Sequence, residues 1–477
     1  MRPDSVHEAG TMALAPLGER EELDPLAELF IWTTRQGVNS NAMQIIVTGF
    51  QIKFPIMERA IRQTMPEFPI LLSRPEVKKS KIRLNAWKPE DVKFEERKFD
   101  GRIGFAHAPF RRFLTNLSKD HPVDWQHAPP VRFWLVQSSV DPDHSCFLMT
   151  ASHATADAKS DSMLLETIVK RYGALHGGAE RWVPDSPRDH SFRGATQVLP
   201  PPKSRSGLRI WNVAIDATKE VLQKTLGLRP ESKDVRKQKS READFYREVL
   251  SEEVQAGIHE LARASGHTVN TLFTAALIRA MEPELPLKPG KNQRVKAIVP
   301  ISMRNLASPA FSQHYRNFML PCRLTYRLGA SSRELLDDIA KQIAEVKIGG
   351  RYHIEVKKLG LMCLLLRNPL LHRLGLVLLD GYQQTSVCYS NPGVIDEDFR
   401  NCGRSDLPIE DYIGFGCALP PLDFIFYTPK LHGRLELNAV YYPDAFKDFR
   451  VQIIEGVKRA LRDMFQEFSI SAEGAAA

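Results

Sequence analysis

The segment 131–174 most narrowly limits what this chain can fold into. VRFWLVQS and SCFLMTAS, over 131–138 and 145–152, are β-rich runs separated by Val140-Asp141-Pro142-Asp143-His144. Asp and Pro are turn formers, so the pair reads as neighbouring strands of a hairpin. A few residues later Met163, Leu164, Ile168 and Tyr172 recur at helical spacing, which predicts a helix over 160–174. The second half alternates in the same way. A strand is expected over 245–250, then a helix that Ser251 caps and Gly266 ends, then an apolar helix over 268–281, and strands over 295–302 and 318–326. The pattern excludes all-helical and all-β folds and predicts an α/β protein whose two halves are coarsely similar.

The limits of those subdomains follow from composition. A chain of 477 residues is long enough for two to three compact units of roughly 150–240 residues. Residues 1–23 read as a mobile start. Asp24 as cap and Pro25 at the first helical position open a helix through Trp32, followed by a strand over 41–52 and a helix over 55–65. The first subdomain is assigned to 24–182. Residues 183–207 are rich in Pro, Ser and charge, and 229–241 are polar, so 183–242 reads as a linker with an exposed loop.

The second subdomain is assigned to 243–471. In it Ser331 and Glu334 form a capping box for a helix to about 346. A strand over 385–389 leads to Ser390-Asn391-Pro392-Gly393, strands over 422–427 and 435–442 flank a His432-Gly433 turn, and a closing amphipathic helix spans 445–468. Residues 472–477 read as a frayed tail.

Bulk properties remove several function classes. Hydrophobic residues at 43% and charged residues at 26% describe a chain that builds a core, which excludes wholesale disorder. The net charge of +8 favours an anionic partner such as nucleic acid, a membrane surface, a phosphorylated cofactor or an acidic protein. No stacking-aromatic or finger motif selects nucleic acid. The basic clusters at 78–81 and 229–241 read as solvated loops, with a docking surface as the other reading.

Six cysteines without a C-x-x-C pair indicate neither a zinc site nor a disulfide framework, and with no signal-peptide core at the N-terminus a reducing, cytoplasmic setting is expected. The apolar stretch 361–379 is interrupted by Arg367, Asn368, Pro369, His372 and Arg373. It therefore reads as a pair of buried helical segments and not as a membrane span.

The chemistry-bearing residues lie on the strand-to-helix loop, where a rigid frame holds reactive groups. His153 stands four residues before Asp157. By residue type alone this spacing is common, and an ordinary strand-end histidine remains an open reading. Cys146 falls an odd number of strand positions before His153, so it is expected on the opposite face as a packed thiol.

Four phrases in chain order give the pattern more weight: VTGFQIKFPIMERAIRQTMPEFPILLSR, SHATADA, IVPISMRN and YSNPG. Together they resemble the chloramphenicol-acetyltransferase-like superfamily, which includes condensation domains, alcohol acetyltransferases and polyketide-associated acyltransferases. The resemblance covers about 26–468. It departs from many relatives in Ser152 before the histidine and Ala158 after the aspartate, where a glycine would permit backbone angles that alanine resists. Asp423-Phe424-Ile425-Phe426-Tyr427 matches only the first two residues of the plant branch's D-F-G-W-G.

What the resemblance implies is an α/β fold of two similar subdomains, each a mixed sheet flanked by helices, with a tunnel between them and His153 midway along it as general base. Asp157 would form a structural ion pair with Arg304, and Ser390 and Asn391 would border the tunnel as oxyanion candidates. No metal and no permanently bound cofactor are implied. An acyl-CoA or an acyl-phosphopantetheine on a carrier protein would be the co-substrate, and a small alcohol or amine the acceptor, served by a monomeric enzyme. Ester formation is the favoured reaction. Amide formation by a stand-alone condensation enzyme, and a silent relative that only binds a carrier protein or acyl chain, are the alternatives; Ala158 is the chief argument for the silent one.

Overall fold

The protein is described from a computed structural model covering residues 20–180, 182, 213, 242–285, 294–304, 314–348, 350–383, 385, 387–395, 397–416 and 422–475. Most of the expected linker and the whole of 229–241 lie outside the described residues. The principal strands are β1 (Asn41–Thr48), β2 (Lys93–Phe99), β3 (Val131–Ser138), β4 (Ser145–Ser152), β5 (Asp244–Val249), β6 (Arg294–Ser302), β7 (Met319–Arg327), β8 (Val387–Ser390), β9 (Ile409–Gly416), β10 (Phe424–Tyr427) and β11 (Arg434–Tyr441). The helices are α1 (Pro25–Arg35), α2 (Phe54–Thr64), α3 (Ala108–Asp120), α4 (Ala158–His176), α5 (Glu252–Ser265), α6 (Val269–Met281), α7 (Ser332–Lys347), α8 (Tyr352–Arg367), α9 (His372–Gln383) and α10 (Glu455–Ala475).

Local chemistry sets the helix starts. The Asp24 carboxylate accepts from the Leu26 N–H at 2.8 Å with Pro25 at the first helical position, so α1 begins where the sequence expects it. Ser251 and Thr268 cap α5 and α6, and Ser331 and Glu334 complete a reciprocal capping box at α7. Gly266 closes α5 in the left-handed region at φ 71°. Ala158 is the first residue of α4 and has an ordinary helical backbone, so no glycine is needed there.

The first sheet has five strands in the order β9-β1-β4-β3-β2, antiparallel except for the parallel β2–β3 pair. All residues of β1 and β4 are buried, as central strands covered on both faces require. Side chains alternate between two apolar layers: Phe133, Leu135, Phe147 and Met149 on one face, Trp134, Val136, Cys146 and Leu148 on the other. Cys146 thus lies opposite the His153 side, as the strand period dictates.

The second sheet runs β7-β6-β8-β10-β11 with β5 on the far side of β11. The β6–β8 and β8–β10 pairs are parallel. The chain crosses between sheets at β9, which follows β8 and precedes β10 in sequence but pairs with β1 in the first sheet. The first lobe therefore carries a strand that the second half of the sequence supplies.

The closing helix and the 361–379 stretch differ from the sequence expectation. The closing helix α10 starts at Glu455 and continues to Ala475, because Pro443–Ala445 forms a separate 3₁₀ turn and Arg450–Ile454 a π segment. The 361–379 stretch forms the α8–α9 hairpin broken at Asn368-Pro369, but it is not buried throughout: Leu364, Leu370, Leu371, Leu374 and Val377 face outward. Among the described residues no helix is long and apolar enough to cross a membrane.

Candidate active site

Strand register positions the site. Ala42 on β1 lies between Ala151 on β4 and Gly416 on β9, and β4 ends one residue later at Ser152. His153 leaves the sheet there, with its backbone N–H bonded to the Ser40 carbonyl at 3.2 Å and its carbonyl accepting from Asn317 Nδ2 at 2.6 Å. The ring stacks on Phe30 of α1, with centroids 5.2 Å apart. Backbone and ring are thus both held.

The tautomer follows from one hydrogen bond. His153 Nδ1 lies 2.9 Å from the Ala156 carbonyl oxygen. A carbonyl only accepts, so Nδ1 carries the proton and Nε2 presents its lone pair. Nε2 faces β9: a Cβ built on Gly416 would stand 3.1 Å from it and 3.4 Å from Tyr427 Oη. Gly416 leaves open the space in front of the lone pair. Burial disfavours the imidazolium and lowers the His153 pKa; the Ala156 hydrogen bond and the Asp157 charge oppose this with smaller effect. The net effect favours the neutral ring.

Asp157 does not orient the imidazole directly. Its carboxylate caps α4 by accepting from Ser160 N–H at 2.9 Å, accepts from Phe318 N–H at 3.0 Å, and pairs with Arg304 Nη2 at 2.9 Å. Burial alone would raise its pKa, but the guanidinium and the two backbone donors outweigh this and hold it below the usual carboxylate range. Arg304 also donates to the carbonyls of His314 and Arg316 at 2.8 and 3.0 Å and to Ser160 Oγ at 2.6 Å, and it lies 4.5 Å over the Phe318 ring. The Asp157–Arg304 clasp thus ties the start of α4 to the segment entering β7. One turn into α4, Asp161 is fully buried beside it, with its pKa raised well above the ordinary value by burial and by the Asp157 charge.

His153 opens onto a cavity of about 450 Å³ between the sheets. Its walls follow the strand period: Ile298, Pro300 and Ser302 of β6, Met319, Pro321 and Arg323 of β7, and Ala42 and Gln44 of β1 each point the same way. Leu26, Leu29 and Phe30 of α1 close one side. Ser390 and Asn391 line the same cavity, and Asn391 Oδ1 also accepts from Gly393 N–H at 2.8 Å, so this segment is both a wall and a tight turn. His153, Asp157, Arg304, Ser390 and Asn391 all border the one cavity.

Sequence reasoning missed Tyr427, whose hydroxyl bridges the Gly416 N–H and C=O at 3.0 Å each. It also missed Gly416, Asn317 and Phe30. Tyr427 ends the late segment compared with the D-F-G-W-G phrase; Gly416 and Asn317 carry no local signal.

No family model matches the sequence, and no curated protein matches it. Solved structures match nearly its whole length. They include trichothecene 15-O-acetyltransferase from Fusarium sporotrichioides (TM-score 0.64, 10% identity, covering 94% of this chain and 95% of that one). The epimerization domain from the third module of tyrocidine synthetase B aligns with TM-score 0.63 and 13% identity over 96% of this chain and 99% of that one. The first condensation domain of the calcium-dependent antibiotic synthetase, in complex with a substrate analogue, aligns with TM-score 0.61 and 14% identity over 94% and 96%. The fold is therefore the two-lobed chloramphenicol-acetyltransferase-like fold of condensation domains and acetyltransferases.

Proposed function

We propose that the protein transfers an acyl group from a thioester, on coenzyme A or on a carrier-protein phosphopantetheine, to a hydroxyl acceptor, giving an ester. The observation that carries this reading is the His153 tautomer: Nδ1 donates to the Ala156 carbonyl, so a neutral Nε2 lone pair faces the interlobe cavity at the Gly416 notch. A base so placed takes the acceptor's proton as its oxygen attacks the thioester carbon. The carbonyl π bond opens to an oxyanion, the C–S bond then breaks, and the thiolate leaves with a proton. Direct attack requires no covalent acyl-enzyme. Ser390 and Asn391 border the space where the oxyanion forms and are assigned as its donors. The apolar walls exclude water that would hydrolyse the thioester.

Asp157 and Arg304 act by positioning, fixing the loop that aims the ring. The alcohol acceptor is favoured by the trichothecene O-acetyltransferase among the structural neighbours; the condensation domains keep the amine acceptor as the second reading. Mass spectrometry of products from mixed acyl-CoA and acyl-carrier donors with alcohol and amine acceptors tests the proposal. Wild type is expected to give an ester that His153→Ala does not. No product and no free thiol from any donor with wild type would favour the silent binding relative.

A further inference from the structure

Gln44 is a polar side chain in the middle of β1, a central strand whose residues are all buried. Taking a carboxamide out of water costs free energy unless its hydrogen bonds are replaced. At Gln44 the protein serves one end of the amide. Tyr412 of β9 donates its hydroxyl proton to Gln44 Oε1, and Gly414 gives the pair room: a Cβ built there would stand 2.5 Å from Oε1 and 2.8 Å from Tyr412 Oη. Tyr412 is itself fixed, with its ring stacked on Phe399 at a centroid distance of 4.7 Å and its hydroxyl 3.2 Å from Ser162 Oγ. Held at Oε1, the amide has Nε2 left over. Among the described residues Nε2 has no hydrogen-bond partner, although Gln44 is only 2% exposed and lines the interlobe cavity.

Register places these donors relative to the base. Gln44 lies opposite Gly414, and Ala42 lies opposite Gly416, the notch before His153 Nε2. Two residues along a strand span about 7 Å, so the Gln44 amide stands about that far from the base. Leu29, Ile298, Pro321, Leu422 and Ile425 are among the other walls of this cavity. A hydrocarbon filling the space beside Gln44 leaves both N–H donors unmade, whereas an oxygen there accepts from them.

We infer that Gln44 is a specificity-determining residue: it donates to a ketone or ether oxygen of the substrate about 7 Å from the atom that His153 addresses, so the cavity selects oxygenated substrates over their hydrocarbon counterparts. The inference deepens the acyl-transfer reading and rests on it for the choice of substrates. An oxygenated acyl chain and an oxygenated alcohol offer the same chemistry, and two probe pairs distinguish them.

The acceptor pair is 5-methoxypentan-1-ol against heptan-1-ol; the donor pair is 5-oxohexanoyl-CoA against hexanoyl-CoA. The full chain, labelled with ¹⁵N-glutamine, is titrated with one probe at a time, so that no transfer takes place. The side-chain NH₂ signals of Gln44, assigned by their loss in Gln44→Met, report binding. In one pair the oxygenated probe is expected to shift these signals and to bind about 10- to 100-fold tighter than its hydrocarbon partner. Gln44→Met is expected to bind the two members alike by the shifts of its remaining glutamines. Tyr412→Phe, which releases Oε1, is expected to narrow the difference while keeping the Gln44 signals. Equal binding within both pairs, no saturable shift with any probe, or a preference that survives in Gln44→Met overturns the inference. Thiol release with donor and acceptor together separates the two readings: discrimination without transfer ends the acyl-transfer reading and leaves the role of Gln44 standing, and transfer without discrimination does the reverse.

Discussion

Asp157→Ala probes how the sequence positions its base. The substitution removes three interactions at once: the 2.9 Å pair with Arg304, the 2.9 Å cap on Ser160 N–H and the 3.0 Å bond from Phe318 N–H. A lost helix cap costs about 0.5–2 kcal/mol, and a buried pair left with one charge about 3–5 kcal/mol. These are not summed, because one carboxylate makes all the contacts; the expected loss is about 3–5 kcal/mol, a large part of the ~5–15 kcal/mol that holds an ordinary domain together. Urea unfolding at neutral pH measures it.

Two companions sharpen that test. Arg304→Met alone strands the carboxylate, whereas Asp157→Leu with Arg304→Met removes both charges and is expected to cost less than the sum of the singles. The pH dependence has a fixed sign. The folded Asp157 pKa is depressed, so its stabilisation is present above the unfolded value of about 3.9 and fades as pH falls toward the lower folded pKa. Asp157→Asn is expected to lose that acid-side dependence. An Asp157→Ala loss under about 0.5 kcal/mol, the range of ordinary surface changes, would refute the clasp.

Further expectations concern the site and its neighbour. His153→Ala is expected to lower turnover by about 10²–10⁴ while melting as wild type, measured by thiol release and thermal unfolding. The acid limb of kcat/KM is expected to fall below the ordinary imidazole value of about 6.5, because burial lowers the His153 pKa. Gly416→Ala places a methyl 3.1 Å from Nε2, and initial-rate kinetics are expected to show kcat/KM reduced by about 10²-fold. Asp161 has a raised folded pKa, so it destabilises the fold increasingly as pH rises above the unfolded value; Asp161→Asn is expected to raise the urea midpoint at neutral pH and to change it little near pH ~4.

Legibility in the sequence followed how local each signal was. The hairpin strands β3 and β4 and the caps at Ser251 and Ser331 were readable because period, turn and capping residues all lie within a few positions. Strand β9 was missed: IEDYIGFG interrupts its apolar pattern with two glycines, and its partner β1 lies more than three hundred residues away. Edge strand β2, KFEERKF, was hidden by its charges. His153, Asp157 and Arg304 were legible as motif residues, while Gly416 and Tyr427 become site residues only once β9 enters the first sheet beside β1. The outward face of α8–α9 was read as core, because an apolar stretch in sequence does not disclose which side has a neighbour.

The most direct test of the central claim needs no substrate. Long-range ¹H–¹⁵N NMR of histidine-labelled protein, with the His153 signals assigned by their loss in His153→Ala, reports the tautomer. A neutral ring protonated at Nδ1, with Nε2 unprotonated at pH ~7 and titrating only below the ordinary imidazole range, is the predicted result. A proton on Nε2, or an imidazolium at that pH, would contradict the account of His153 as the base.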